Sequence, residues 1–331
     1  MIPRSCRRTG KTMPDQLSRM LGERPWLLAD GATGTNLYNM GLAPGQAPDL
    51  WCETHPDKVR ELHRQMIASG ADIILTNSFG ANASRLRLAK AEARVAALNR
   101  AAARLAREAA AGTGRAVIVA GSMGPIGEIM APMGRLTEAE ATAMFTEQAQ
   151  ALKEGGADIL WIETISAAEE MRAASKAAQA VGMPWCGMMS FEPGGRSMMG
   201  VTPPQLAALI DRLPYPPLAY GANCGTGPAE LLMAVAGFAA SGNERPLIAK
   251  PNAGVPRYQD GGLIYDATPG VMAEFAVLAR DLGVRVIGGC CGTTPEHLAA
   301  MRDALVAAPR GPRPSPERIS ARIAEAMGPG E

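Results

Sequence analysis

The sequence is short of aromatic rings, of histidine and of net charge, and each shortage narrows what the chain can be. Only 4% of its 331 residues are Phe, Trp or Tyr, so Ala, Leu, Ile, Val and the 19 Met must fill the core. Three histidines leave little material for a Ser/His/Asp relay. The 33 Lys and Arg against 32 Asp and Glu give a net charge of +1, which excludes a polyanion-binding surface as the main role and with it a nucleic-acid partner. No apolar run reaches the roughly 20 residues of a membrane helix. The basic start MIPRSCRRTGKTMPDQ lacks the apolar stretch of a secretory signal. These absences point to a cytoplasmic protein with no membrane partner. Its six cysteines are then expected as thiols, ligands or nucleophiles rather than disulfides.

What the sequence does hold is a regular alternation of two kinds of segment. Hydrophobic residues make up 47% of it, enough for a large core. β-Rich runs occur at Trp26–Asp30, Asp72–Thr76, Ala116–Gly121, Asp158–Glu163, Pro184–Ser190, Pro217–Asn223, Pro246–Pro251 and Val284–Gly289. Most are continuously apolar, the pattern of parallel strands buried on both faces. Amphipathic stretches such as PDKVRELHRQMIASG and TPPQLAALIDRL separate them, and Gly70, Gly156, Gly182 and Gly283 stand where helices should stop. The phrases SGADIILT and GGADILWIE look like two copies of one helix-to-strand joint.

Eight β-then-α units predict a single α/β domain, a (β/α)8 TIM barrel, over residues 23–308. An open doubly wound sheet is the alternative, but no Gly-x-Gly-x-x-Gly turn follows the first run. Residues 1–22 and 309–331 read as flexible ends, and Met13 is a second candidate start.

The chemistry gathers at strand ends. Cys224 follows the sixth run (GANCGTG), and Cys290 and Cys291 follow the eighth (GGCCGTTPEH). One strand separates the sixth and eighth in a closed barrel, so the three sulfurs should converge across the mouth. Gly288, Gly289 and Gly292 would relax the rule that neighbouring side chains point opposite ways. Three ligands and an open fourth position describe a catalytic zinc site. A zinc bound by three thiolates suits capture and deprotonation of a further thiol. Cys6, Cys52 and Cys186 read as inert.

Two carboxylates stand at apolar strand ends, Asp30 in LADGATGT and Glu163 in LWIETIS, and a buried acid asks for a cation such as an α-ammonium group. Gly31 and Gly34 would let backbone approach the same ligand's carboxylate. Asn77 and Asn223 offer neutral polar contacts. His55, His63 and His297 read as surface or capping residues, His297 in the first turn of a helix.

The motifs DGATGTNL, LTNSFGANASRL, IETIS, GANCG, KPNAGVP and GGCCGTTPEHLAAM occur in this order from about Leu27 to Met301. In them the chain resembles the zinc-dependent homocysteine S-methyltransferases, both the bacterial betaine–homocysteine type and the homocysteine module of cobalamin-dependent methionine synthase. The resemblance implies a methyltransferase that forms methionine by methyl transfer to a zinc-bound homocysteine thiolate. It implies Zn2+ on Cys224, Cys290 and Cys291, with Asp30, Gly31 and Glu163 contacting the amino and carboxylate groups.

The small-molecule partners would be homocysteine and a methyl donor, with betaine expected. The tyrosines that cage betaine in the animal enzymes correspond here to Thr164 and Gly80, so a cage would have to come from Trp51, Tyr38, Tyr258 and Tyr265. The alternatives are S-methylmethionine, or methylcobalamin on a separate corrinoid protein docking on Met123, Met130, Met133, Met198 and Met199. A zinc or thiol-binding protein without catalysis, a zinc-free aldolase-like barrel and an oligomeric state are all compatible with the sequence.

Overall fold

The computed structural model describes residues 15–259 and 262–328; Cys6 and Met13 lie outside them, as does the side chain of Tyr258. Eight parallel strands form the barrel wall: β1 (Leu27–Leu28), β2 (Ile73–Leu75), β3 (Ile118–Met123), β4 (Ile159–Ile165), β5 (Trp185–Met189), β6 (Ala219–Cys224), β7 (Leu247–Pro251) and β8 (Val284–Ile287). β1 pairs with β8, the order then runs β7, β6, β5, β4, β3, β2, and Ala29 meets Ile73 to close the ring. Each strand matches one of the eight β-rich runs. The fold is a single (β/α)8 barrel.

Strand side chains divide by alternation into two cores. One set, including Ile73, Leu75, Ile118, Ala120, Ile159, Trp161, Met188, Ile248 and Val286, fills the barrel interior. The other, including Ile74, Val119, Leu160, Ile162 and Ile287, faces the surrounding helices. The interior positions Ala120, Trp161 and Ile248, continued by two residues along their strands, arrive at Ser122, Glu163 and Lys250, and Val286 continued by four arrives at Cys290. The barrel is thus apolar through its middle and polar at the carboxyl ends of its strands, where such barrels build their sites.

The repeated joint has a physical role. Asp72 accepts a hydrogen bond from Leu28 N at 2.9 Å and pairs with Arg24 and Arg115 at 2.7 and 3.1 Å. Asp158 accepts one from Val119 N at 2.8 Å and pairs with Arg107 at 2.7 Å. In both copies the Asp entering a strand ties down the preceding strand. Gly156, Gly182 and Gly283 end their helices with φ of 99°, 63° and 99°, a conformation that favours glycine.

Both ends depart from expectation. Helix Gln16–Glu23, capped by Asp15, buries Leu17, Met20 and Leu21 against the interior cluster and plugs the bottom of the barrel. Arg285 holds its end by donating to the carbonyls of Leu21, Arg24 and Pro25. Within 309–331, helix Pro316–Met327 buries Ile319 and Ile323 and packs on helices Pro228–Ala239 and Pro269–Leu282. Arg280 reaches the carbonyls of Ala308 and Pro309, at 2.6 and 2.8 Å. The Pro-, Arg- and Gly-rich composition concealed short i, i+4 apolar pairs that are enough to dock a helix.

The long loop after β7 also carries an antiparallel hairpin, Arg257–Gln259 with Gly262–Ile264. Among the described residues no helix is long and apolar enough to cross a membrane.

The docked tail generates a test. Ile319 is fully buried, so Ile319→Ala should cost about 2–4 kcal/mol in denaturant-induced unfolding. An unchanged midpoint would return residues 309–331 to a detached tail.

Candidate active site: three cysteines over a charged floor

Cys224 is the last residue of β6, and Cys290 and Cys291 sit in the turn after β8. Their sulfurs all lie within 4.8 Å of one another, and Cys224 Sγ and Cys290 Sγ are in contact at 3.0 Å. The expected convergence across the mouth is realised, and the end of the intervening β7 is what enforces it. Pro251 O accepts from Cys290 N at 2.7 Å and Ala253 N donates to Cys291 O at 2.8 Å. Asn252 Oδ1 accepts from Cys291 N at 3.1 Å, while its Nδ2 donates to Gly225 O at 2.6 Å. One asparagine therefore binds both cysteine-bearing turns.

Local backbone is spent on this arrangement. Cys224 and Thr164 adopt φ of 60° and 62°, a left-handed conformation that costs non-glycine residues about 1–3 kcal/mol each. Asn223 holds Thr164 there, accepting from Thr164 N at 2.7 Å and donating to Thr164 Oγ1 at 2.8 Å. The same amide nitrogen lies 3.7 Å from Cys290 Sγ. Gly289 is needed for close approach, since a Cβ there would fall 2.2 Å from Thr293 Oγ1.

The three thiols share protons. Hydrogen bonds from Cys224 and then Cys290 lower the Cys291 thiol to about 3. Cys224 is raised well above the ordinary thiol range by its hydrogen bond to Cys290, then that to Cys291, and by burial. Among the described residues no His, Asp, Glu or further Cys joins the cluster as a fourth ligand.

Below the sulfurs lies a buried charged floor. Lys250 Nζ donates to Asp30 Oδ1 at 2.8 Å, with both side chains almost fully enclosed. Asp30 Oδ2 accepts from Leu75 N at 2.7 Å. Glu163 Oε1 accepts from Ser122 Oγ at 2.6 Å. Burial pushes the Glu163 carboxyl up to about 7, with Lys250 opposing and Cys290 adding to the rise. Burial likewise raises Asp30, partly offset by Lys250. The ammonium of Lys250 also sits 5.6 Å from the centre of the Trp161 ring.

Gly31 packs against Thr293, where a Cβ would meet the carbonyl oxygen at 2.6 Å. That carbonyl accepts from Ala32 N and Asn36 Nδ2, both at 3.0 Å, and so ties the loop after β1 to the cysteine turn.

Some expected site residues point elsewhere. Asn77 Nδ2 donates to Pro48 O at 2.8 Å and lies 3.5 Å from Cys52 Sγ, so it packs the loop after β2. Trp51 is buried and already carries the Lys58 ammonium 4.8 Å from its ring centre. Met123 and Met130 are core residues, whereas Met133 and Met198 are 78% exposed. Cys52 and Cys186 are buried, and burial raises both thiols. His297 caps its helix through Thr294 and donates from Nε2 to Ala267 O at 2.9 Å.

Lys250, Ser122, Thr164 and Asn252 were not anticipated as site residues. The signal for Lys250 was a single lysine inside the apolar run PLIAKP, two residues beyond the interior Ile248.

Comparison with known proteins meets this geometry. Methionine synthase of Mycobacterium tuberculosis is 30% identical over 295 residues, covering 84% of this chain and 24% of that protein. The Mycobacterium leprae methionine synthase is 29% identical over 308 residues, covering 88% and 25%. The chain thus spans about a quarter of the length of these curated relatives.

The metallated form of the homocysteine methyltransferase MmuM from Escherichia coli superimposes with a TM-score of 0.74 at 25% identity, over 87% of this chain and 99% of that one. Its oxidized form gives 0.71 and 26%, over 87% and 98%. The family model described as homocysteine S-methyltransferase matches residues 27–305. The chain belongs to the homocysteine S-methyltransferase family and is a methyltransferase.

Proposed function

We propose that the chain converts homocysteine to methionine with a zinc ion held by Cys224, Cys290 and Cys291. The observation that carries this is the convergence of three thiols within 4.8 Å, with no fourth protein ligand among the described residues. Ligands at the ~2.3 Å zinc–sulfur distance on a tetrahedron stand about 3.8 Å apart. The three sulfurs, none more than 4.8 Å from another, bracket that spacing, and the Cys224–Cys290 pair at 3.0 Å would open by about 0.8 Å to take the metal. Zinc in this site would lower the pKa of the homocysteine thiol, so that the attacking sulfur is a thiolate at neutral pH.

The protein's own side chains do the positioning. Asn252 and Asn223 keep the cysteine turns in place. Glu163 Oε1 is held by Ser122, and its other oxygen has no partner among the described residues, so it is free to accept the substrate's α-ammonium group. The backbone of Gly31, held against the Thr293 carbonyl, would meet the substrate carboxylate beside the first loop. Fixing sulfur and amine together leaves the thiolate aimed outward at an incoming methyl group, and such orientation supplies much of the rate in methyl transfer. The reducing cytoplasm would keep the three thiols free for the metal.

The donor reading favoured by the surface is a methyl group delivered by a separate protein, such as a methylcorrinoid carrier. Ile129, Met133, Met198, Met199, Val255 and Ile264, all exposed, stand on the loops after β3, β5 and β7 that rim the mouth. Exposed apolar side chains on three rim loops support a docking surface there. Betaine would need aromatic faces, and with Trp51 covered by Lys58 the described side chains leave Tyr38 and Tyr265 for that purpose.

Cys290→Ala and Cys291→Ala should each take zinc content from about one per chain to near zero and abolish methionine formation. Either variant retaining full zinc and turnover would refute the metal assignment. Glu163→Gln should keep its zinc while homocysteine binds about 10–100-fold more weakly, from the ~1.5–3 kcal/mol of a charge-assisted hydrogen bond. Unchanged affinity in titration calorimetry would remove Glu163 from the substrate site. Assays with betaine, S-methylmethionine and methylcobalamin supplied separately should give methionine with methylcobalamin, and turnover with betaine alone would reverse the donor reading.

A further inference from the structure

Resting on the homocysteine reading, we infer that Lys250 sets the charge of the pocket floor, so that Glu163 alone receives the substrate's ammonium group and Asp30 acts as a positioning residue. Both acids stand under the sulfurs, and sequence alone makes them equivalent candidates for the amine. Their surroundings separate them.

Asp30 is already spoken for. One carboxylate oxygen takes the Lys250 ammonium at 2.8 Å and the other takes the backbone N–H of Leu75 at 2.7 Å. The Lys250 side chain is 1% exposed and that of Asp30 3%, so this ion pair is sealed from water. A buried ammonium tolerates desolvation only while its counter-charge stays close. Pulling Asp30 toward a substrate amine would strand Lys250, whose stem is fixed in β7 and whose head rests against the Trp161 ring.

Glu163 is tied by one neutral hydroxyl, that of Ser122, and its Oε2 has no partner among the described residues. With both acids ionised, two carboxylates and one ammonium leave one uncompensated negative charge in the floor, and an arriving ammonium group favours that form of Glu163. That charge matches one α-ammonium group, and it resides on Glu163.

The charge count makes a prediction that simple contact does not. Removing the Asp30 charge frees Lys250 to turn to Glu163, the next carboxylate whose charge it feels. The floor then becomes neutral and the substrate amine loses its site. Removing both charges restores a floor of net −1 on Glu163. If Asp30 itself held the amine, the second substitution would bring no recovery. A buried ion pair replaced by neutral side chains of similar size is commonly tolerated, so the double variant is expected to fold.

The experiment is calorimetric titration of zinc-loaded protein with homocysteine and with 4-mercaptobutyrate, which lacks the amino group. Asp30→Asn should weaken homocysteine at least tenfold and 4-mercaptobutyrate less than threefold. Asp30→Asn combined with Lys250→Met should recover at least fivefold of the homocysteine loss. The inference is overturned if the double variant binds homocysteine as weakly as Asp30→Asn, or if Asp30→Asn weakens both ligands equally.

A crystal structure of the unaltered protein with zinc and homocysteine decides independently of any variant. The ammonium nitrogen should lie within hydrogen-bond distance of Glu163 and not of Asp30, and contact with Asp30 would overturn the assignment. Wild-type protein that binds no homocysteine overturns the functional reading together with this one, whereas normal wild-type binding with no recovery in the double variant overturns this one alone.

Discussion

Everything in the mouth of this barrel depends on β7 standing between two cysteine-bearing turns and binding both. Pro251 pairs in register with Cys224 on one side and accepts from Cys290 N on the other. Asn252 then bridges Gly225 and Cys291 through one side-chain amide. Without that strut, residues 66 positions apart in sequence would have no reason to bring their sulfurs into contact. The strained φ values of Cys224 and Thr164 are the local cost of the arrangement, and Asn223 contributes the hydrogen bonds that sustain it.

The barrel beneath supplies rigidity and polarity contrast. Interior alternation fills the middle with Ile, Leu, Met and Trp, and the plug helix Gln16–Glu23 seals the bottom. Carried two residues further, the same alternation places Ser122, Glu163 and Lys250 at the top, and Cys290 follows four residues after Val286. A charge placed there is held in a low-dielectric setting, where each partner matters more than it would in water. That is why Glu163 sits near 7 while still facing a cation of its own protein, and why one lysine can decide which of two acids remains available.

The sequence made the architecture legible because parallel strands buried on both faces announce themselves as continuous apolar runs, and most of the eight did. The cysteine trio was legible for a geometric reason, since Cys224 and the Cys290–Cys291 pair terminate runs that a closed barrel brings together. Asn77, expected as a polar contact for the ligand, gives its amide nitrogen to Pro48, a partner that only the folded loops bring to it. Lys250 was overlooked because a lysine in an apolar run has no visible partner until Asp30, 220 positions away, is folded against it. The terminal helices were hidden by composition, although Leu17, Met20 and Leu21 and the Ile319–Ile323 pair already had helical spacing. The hairpin after β7 had a local cue in Asp260-Gly261 between two short β-prone runs.

The central claim is that three protein sulfurs would hold the zinc and leave its fourth position to the substrate thiol. X-ray absorption at the zinc edge, recorded on the purified protein before and after adding homocysteine, addresses it most directly. Three sulfur neighbours at about 2.3 Å rising to four on addition of homocysteine is the predicted result. A sulfur count that stays the same when homocysteine is added would contradict the account.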